Sequence, residues 1–508
     1  MPRSQQPDFL QNLRHEMVDG RHWLDRVVVI GFAVLAGLAV VGFTLLYDTA
    51  FEWFQSLQSN HGWATLLWTP AVTAFVVWAL RAWAPGAGGS GVPQVMAALE
   101  PALPRSERGR FVSVKLSVAK VLGVSGGVLA GLSIGRQGPS VQVAAGVMHH
   151  ARRYLSPRTA ITDRELLVAG GAAGIAAAFN TPLGGIVFAI EELSRRLEQR
   201  SSGLMLAAIV VSGLVSVSVF GNLSYFGRVR IEVVSWADLF WPGLLIALAC
   251  GLFGGLLSRL LLLSFTGLPD RFCAYRRAHP VRFAAWCGLG VAVIGLVTGG
   301  AANGGGHHHA RELLEMTSVE EHTPFLFSGL KFVASWWSAW SGVPGGIFGP
   351  SLSLGAGVGA DVAWLTDSRQ VQALIAIGMA GFLAAVTQTP ITAMIIVMEM
   401  TDGHSMVLSL MGCALLSSLV SRMISRPLYS TMAEFMLERV LDRPASDGAA
   451  QPSSGSSAKP AQSPVATAPA ESGPTAAPGV PRGADPGSPV PASATPPPAT
   501  PDSGPHKP

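Results

Sequence analysis

Charge is scarce in this sequence. Of its 508 residues, 13% are Asp, Glu, Lys or Arg, against about 25% in an ordinary soluble domain. At this length the shortage excludes a soluble globular chain. The formal net charge is only +4, and the basic residues are split among short loops, which argues against nucleic-acid binding. Cysteine is scarce too. Cys250, Cys273, Cys287 and Cys413 lie far apart with no C-x-x-C pair, so neither a disulfide framework nor a structural zinc site is expected. A helical H-E-x-x-H is missing, which removes the zinc-protease class. A serine protease has no histidine to use within a clear span, His404 lying near an end. No enzyme activity and no cofactor are expected.

What the chain holds instead is long apolar runs. Residues 27–47, 166–190 and 203–227 carry no charge, and each reaches the roughly 20 residues needed to cross a bilayer. The chain reads as an all-α polytopic membrane protein. The first run is too long for a cleavable signal peptide and lacks a small-residue cleavage site. Residues 1–26 are polar, with Arg3, Arg14, Arg21 and Arg26, and read as an amphipathic segment at the membrane surface. Residues 27–440 form the membrane domain. The tail, 441–508, reads as disordered: its last 65 residues hold 17 prolines and no Phe, Trp, Tyr, Leu, Ile or Met, too little apolar area to offset the entropy of ordering. With seven charges and no aromatic motif, it offers little to a receptor or scaffold reading. Arginine clusters at 105–110, 152–164, 195–200, 271–282 and 422–426 orient those loops toward the cytoplasm. Both termini are expected there, in a cell inner membrane.

Several apolar segments are too short to span and are broken by Gly and Pro. In lipid such backbone is tolerated only where protein or water surrounds it, so broken helices point to an internal site. Two stretches also repeat. Gly135-Arg136-Gln137-Gly138-Pro139-Ser140 leads to Ala145-Gly146-Val147, and Gly346-Ile347-Phe348-Gly349-Pro350-Ser351 leads to Ala356-Gly357-Val358, at an offset of 211. Thr181-Pro182 leads to Glu191, and Thr389-Pro390 to Glu399, at an offset of 208. Duplicated domains of broken helices are a transporter pattern, with the site near the midplane at the repeat interface. Periodicity alone leaves open whether the repeats are inverted. Three Gly-rich segments present helix starts: Gly89-Ser90-Gly91-Val92-Pro93, Gly135-Arg136-Gln137-Gly138-Pro139, and Gly346-Ile347-Phe348-Gly349-Pro350. Glycines let a ligand approach backbone N–H groups, and a helix N-terminus favours anions. Any one motif is equally a device for close helix packing; the three together with the repeat favour a small anion.

On these motifs, with the Asn180-Thr181-Pro182-Leu183-Gly184-Gly185-Ile186 run to Glu191-Glu192 and Arg426-Pro427-Leu428-Tyr429, the chain resembles the CLC family of chloride channels and chloride/proton exchangers over roughly residues 20–440. The resemblance implies a homodimer of inverted-repeat subunits built from broken and tilted helices, each with its own pore. It implies a central chloride held by the hydroxyls of Ser90 and Tyr429 and by backbone N–H groups near Ile347 and Phe348. Gly89, Gly91, Gly135, Arg136, Gly138, Gly346 and Gly349 would supply the surrounding backbone. Serine at 90 goes with chloride preference, proline there with nitrate. Glu192 would be the internal proton-transfer acid, and position 137 the external gate. The family pattern at the gate is Gly-Arg-Glu-Gly-Pro, whereas this chain has Gln137. An amide carries no titratable proton and resembles the protonated acid in shape. Passive, channel-like chloride transport without proton coupling is therefore expected. The alternative is an exchanger with a different outer proton acceptor.

The remaining polar residues have competing readings. Glu192 could survive only as a partner for Arg195 or Arg196. Glu399 is an intramembrane acid, a functional candidate by default, but holding a helix end by hydrogen bonds is the favoured role. Lys115 and Lys120 either snorkel to the cytoplasmic face or draw anions inward. His307, His308 and His309 follow three glycines; neighbours in a loop point apart and no acid stands at ligand spacing, so metal binding is disfavoured. Trp336, Trp337 and Trp340 read as an interfacial belt.

Overall fold

In lipid a backbone can satisfy its N–H and C=O groups only within itself, and long apolar runs therefore become helices. The computed structural model describes residues 20–194, 202–221, 226, 236–267, 271–316 and 325–442. In chain order its α-helices are α1 (Gly20–Asn60), α2 (Thr65–Trp83), α3 (Val92–Leu99), α4 (Val114–Leu129), α5 (Gln137–His150), α6 (Asp163–Phe179), α7 (Pro182–Phe188), α8 (Ser202–Phe220) and α9 (Trp236–Thr266). There follow α10 (Arg271–Ala278), α11 (Pro280–Val297), α12 (His307–Glu315), α13 (Leu326–Trp340), α14 (Phe348–Leu365), α15 (Val371–Thr387), α16 (Pro390–Thr401), α17 (Val407–Ile424) and α18 (Leu428–Leu441). The membrane-surface reading of residues before 20, the arginines at 195–200 and the tail beyond 442 lie outside the described residues.

Seven helices among the described residues are long and apolar enough to cross a membrane: α1, α2, α4, α8, α9, α11 and α17. Others fall short. α5 has 14 residues, about 21 Å at 1.5 Å per residue, against a hydrocarbon core of about 30 Å. α3 has 8 and α7 has 7. The broken helices expected from Gly and Pro are present. At the centre lie α6 and α15, buried on every side: only Arg164 and Gln372 escape full burial. All-round apolarity marks such helices as interior. Small residues let them approach their neighbours closely. A Cβ on Gly170 of α6 would stand 2.7 Å from Ala145 Cα of α5, and one on Gly359 of α14 would stand 2.6 Å from Ile375 Cα of α15.

The two repeats pair as equivalents. Gly135 N–H donates to Gly346 O at 2.8 Å, and Gly346 N–H donates back to Gly135 O at 2.7 Å, a single antiparallel bridge. Mutual exchange between equivalent residues is an antiparallel relation, so a local two-fold axis relates the repeats here. Asn180 and Gln388, again 208 apart, end α6 and α15 in the left-handed conformation, both at φ 59°. Prolines then open α7 and α16, where the missing N–H costs nothing. Glu191 accepts from Ile391 N (3.2 Å) and Thr392 N (2.7 Å) at the start of α16. Glu399 accepts from Leu183 N (3.2 Å) and Gly184 N (2.7 Å) at the start of α7. Each carboxylate caps the short helix of the opposite repeat, which is the structural role favoured for Glu399.

Candidate functional site

The Gly135–Gly346 bridge brings the starts of α5 and α14 side by side. Both helices begin with no side-chain cap, their preceding residues Arg136 and Ile347 lying in the helical region. A first turn has N–H groups without intrahelical partners, so two sets of donors converge here. The third glycine segment closes on them. Gly91 has φ +115°, and a Cβ there would stand 2.5 Å from Gly138 O; a Cβ on Gly138 would stand 2.5 Å from Ser90 Oγ and 3.3 Å from Gly346 Cα. The three segments therefore meet at one place. One expected donor is already engaged: Gly91 N–H donates to Gln94 Oε1 at 2.9 Å. The Gln94 side chain also donates to Gly88 O at 2.5 Å. From this segment it is the Ser90 hydroxyl that remains.

The hydroxyls of Ser90 and Tyr429 are both buried and lack a geometrically sound hydrogen-bond partner among the described residues, yet lie close enough to act on one another. A buried polar group without a partner is costly, and such a pair marks the place of a missing acceptor. The Tyr429 ring stacks on Phe348, with centroids 5.9 Å apart. Phe348 in turn packs against Phe179 and Phe188 at 6.1 and 6.2 Å, which fixes the phenol. Ser90, Ile347 and Tyr429 line a cavity of 760 Å³ that also takes in Arg81, Arg110, Arg276, Arg277 and Arg439. Gln137 lies in the seam between α5 and α14: a Cβ on Gly135 would be 2.6 Å from its Oε1, and one on Gly349 3.1 Å.

Beside Gln137, Arg136 turns its side chain away from the backbone donors. Its guanidinium bonds Asp48 at 2.5 Å and lies over the Tyr47 ring. Tyr47 OH donates to Ile134 O (2.6 Å) and accepts from Gly305 N (2.9 Å). His307 and His308 stack on this corner, their centroids 4.1 Å apart and both close to Phe51. His309 points elsewhere, to Glu312 at 3.0 Å and the Phe327 ring. Burial holds His307 well below the usual histidine range, and the Arg136, His308 and Lys331 charges push the same way.

Lys120 does not snorkel. Fully buried, it donates to Gly89 O at 2.8 Å and Gly88 O at 3.4 Å, bracing the Ser90 loop. Lys331 does the same for the opposite loop, donating to Ala302 O and Gly304 O at 2.9 Å each. Lys120 and Lys331 are 211 apart, the repeat offset, and that spacing was the available signal for Lys331. Gly89 and Gly91 match Gly304 and Gly306 at an offset of 215, all four with positive φ, so α3 and α12 are repeat equivalents. Glu192 sits in a π-helical turn, Ala189–Ser194, a form common at functional sites. It lines a second cavity of 850 Å³ with Arg422, Arg426 and Ser430, and acts electrostatically on Tyr429. Trp336 and Trp340 are half-buried: they stack on one another, and Trp336 donates to Ser264 Oγ at 2.9 Å.

A family model described as voltage gated chloride channel matches residues 72–422. The chain belongs to the CLC family. It is 31% identical over 419 residues to the H(+)/Cl(−) exchange transporter ClcA of Cronobacter sakazakii, covering 76% of this chain and 84% of that one. Against the ClcA of Salmonella typhimurium it is 30% identical over 426 residues, covering 77% and 85%. Among solved structures, a slow cyanobacterial Cl−/H+ antiporter superposes with a TM-score of 0.70 at 22% identity, covering 82% of this chain and 98% of that one. A CLC-type fluoride/proton antiporter gives 0.63 at 19%, covering 80% and 97%. The inverted repeat of broken helices is thus the CLC fold, in a multi-pass membrane protein.

Proposed function

We propose that this CLC protein carries chloride across a cell inner membrane by a passive, channel-like route not coupled to protons. The observation that carries the reading is the amide of Gln137, lodged between the starts of α5 and α14 beside uncapped donors. Chloride would rest on the hydroxyls of Ser90 and Tyr429 and on backbone N–H groups near Ile347 and Phe348. It would leave through the arginine-lined cavity, whose Arg110, Arg276 and Arg277 belong to the arginine clusters expected at the cytoplasmic side. Gln137 would occupy the outer position as a gate that cannot titrate. Chloride enters and leaves such a site because donors, not a full buried charge, hold it.

A second reading, chloride/proton exchange through another outer acid, draws support from Glu192 in its cavity beside Tyr429 and from relatives named as exchangers. The two separate in liposomes of the purified protein, with voltage clamped by valinomycin and internal pH recorded. Under an imposed proton gradient, chloride efflux without proton movement supports the uncoupled route. Uphill chloride flux sinks it. The working unit is proposed as a homodimer. Leu408, Leu415, Leu419 and Met423 form an exposed apolar stripe on α17, and Leu183 and Ile391 are exposed too. A monomer by light scattering in mild detergent would count against it.

A further inference from the structure

The 760 Å³ cavity is far larger than a monatomic anion requires. Its size is that of a site for a small organic or polyatomic ligand, about 300–1,000 Å³. Arginines reach it from different elements: Arg81 from the last turn of α2, Arg276 and Arg277 from the last turn of α10, Arg439 from the last turn of α18. Among the described residues none of these four forms an ion pair, and no Asp or Glu lines the cavity. Arg110, the fifth, is paired to Glu107 at 2.7 Å. Two of the arginines are already oriented. Arg276 is half-buried and donates to Ser264 O, and Arg439 lies 5.4 Å over the Phe265 ring. Arg81 and Arg439 both act repulsively on Arg276. Each arginine separately suits the C-terminal end of its helix, but that role needs no convergence on one cavity.

We infer that this cavity binds a multiply charged phosphate group across Arg81, Arg276, Arg277 and Arg439, and that an occupant there closes the route to Ser90. The inference rests on the cavity being the anion route proposed above. Guanidinium forks fit phosphate oxygens two at a time. A single carboxylate or chloride would leave several of the four charges uncompensated, whereas a phosphate of two or more charges matches them. The phosphate arrives either on a soluble ester or on a lipid headgroup.

The test is equilibrium binding of radiolabelled inorganic pyrophosphate to the purified full chain, delipidated in detergent. The variants are Arg276→Lys, which keeps the charge and loses the fork, and Arg439→Gln, at an exposed position less able to disturb folding. Saturable binding to the wild type is expected, weakened about tenfold or more in each variant, with unchanged melting. A second arm uses nanodiscs of phosphatidylcholine with or without phosphatidic acid. Pyrophosphate displaced by phosphatidic acid supports the site with a lipid source; undiminished binding supports a soluble source. Equal binding by the wild type and both variants, or none by any, overturns the inference. Chloride flux is measured separately: a protein that binds pyrophosphate but moves no chloride sinks the transport reading and leaves the phosphate site standing.

Discussion

At residue 137 one functional group separates two kinds of transport. A carboxylate there would compete with chloride for the donors of α5 and α14 and would leave when protonated. The amide oxygen accepts from those donors without a negative charge, and protonation cannot release it, because it has no proton to gain near neutral pH. Wild-type chloride efflux is therefore expected to stay flat as the outer solution is acidified. Gln137→Glu should be slow at pH 7.5 and quicken severalfold toward the ordinary glutamate range, about 4.3. A flat profile in that variant, measured by chloride electrode, would remove position 137 from the gate. Ser90 offers a contrasting case. Among the described residues its hydroxyl has no well-formed hydrogen bond, so Ser90→Ala should leave melting nearly unchanged while weakening chloride binding about tenfold, the worth of one hydrogen bond to an ion, as read by calorimetric titration. Both residues were legible in the sequence through their Gly-rich settings. What the sequence did not disclose is that Gly91 N–H is taken by Gln94, because a capping bond depends on a rotamer and not on spacing.

At the scale of elements, short helices survive in this fold because something outside them holds their ends. α7 and α16 are too short to be stable alone, and each receives a carboxylate from the other repeat. Glu399→Gln should destabilise the protein by about 2 kcal/mol, the loss of charge-assisted bonds to two backbone donors. Glu191→Gln should cost a similar amount. Because α7 and α16 share the repeat interface, the double variant should depart from the sum of the two, which melting in detergent would register. α12 carries a pH dependence of its own. His307 is held neutral by burial and by neighbouring Arg136, His308 and Lys331 charges. Below about pH 6.5 the unfolded chain binds a proton that the folded chain refuses, so stability is full above that pH and falls on acidification. His307→Gln should lose less melting temperature than the wild type between pH 7.5 and 5.0. An equal loss would place the acid sensitivity elsewhere.

Across the whole molecule, the duplication explains why so much could be read in advance. Scarce charge and long uncharged runs require a membrane fold, since no other solvent accepts them. The offsets of 211 and 208 announce two equivalent halves, and Gly, Pro and short length announce broken helices. Lys331 escaped notice although it stands 211 after Lys120, because one lysine among apolar residues carries no motif. The arginine-lined cavity was not legible at all: Arg81, Arg276, Arg277 and Arg439 lie in three unrelated stretches, and Arg439 comes from the last helix. Hydrophobic periodicity and turn chemistry are local, so the sequence by itself determined the membrane class, the repeat and the sites of backbone breakage. Which way the repeats face, which loop meets which helix start, and which side chains share a cavity are relations between residues hundreds of positions apart. Only the tertiary structure decided these, because they rest on contacts such as the Gly135–Gly346 exchange, in which each partner is a single glycine with no side chain to announce the other.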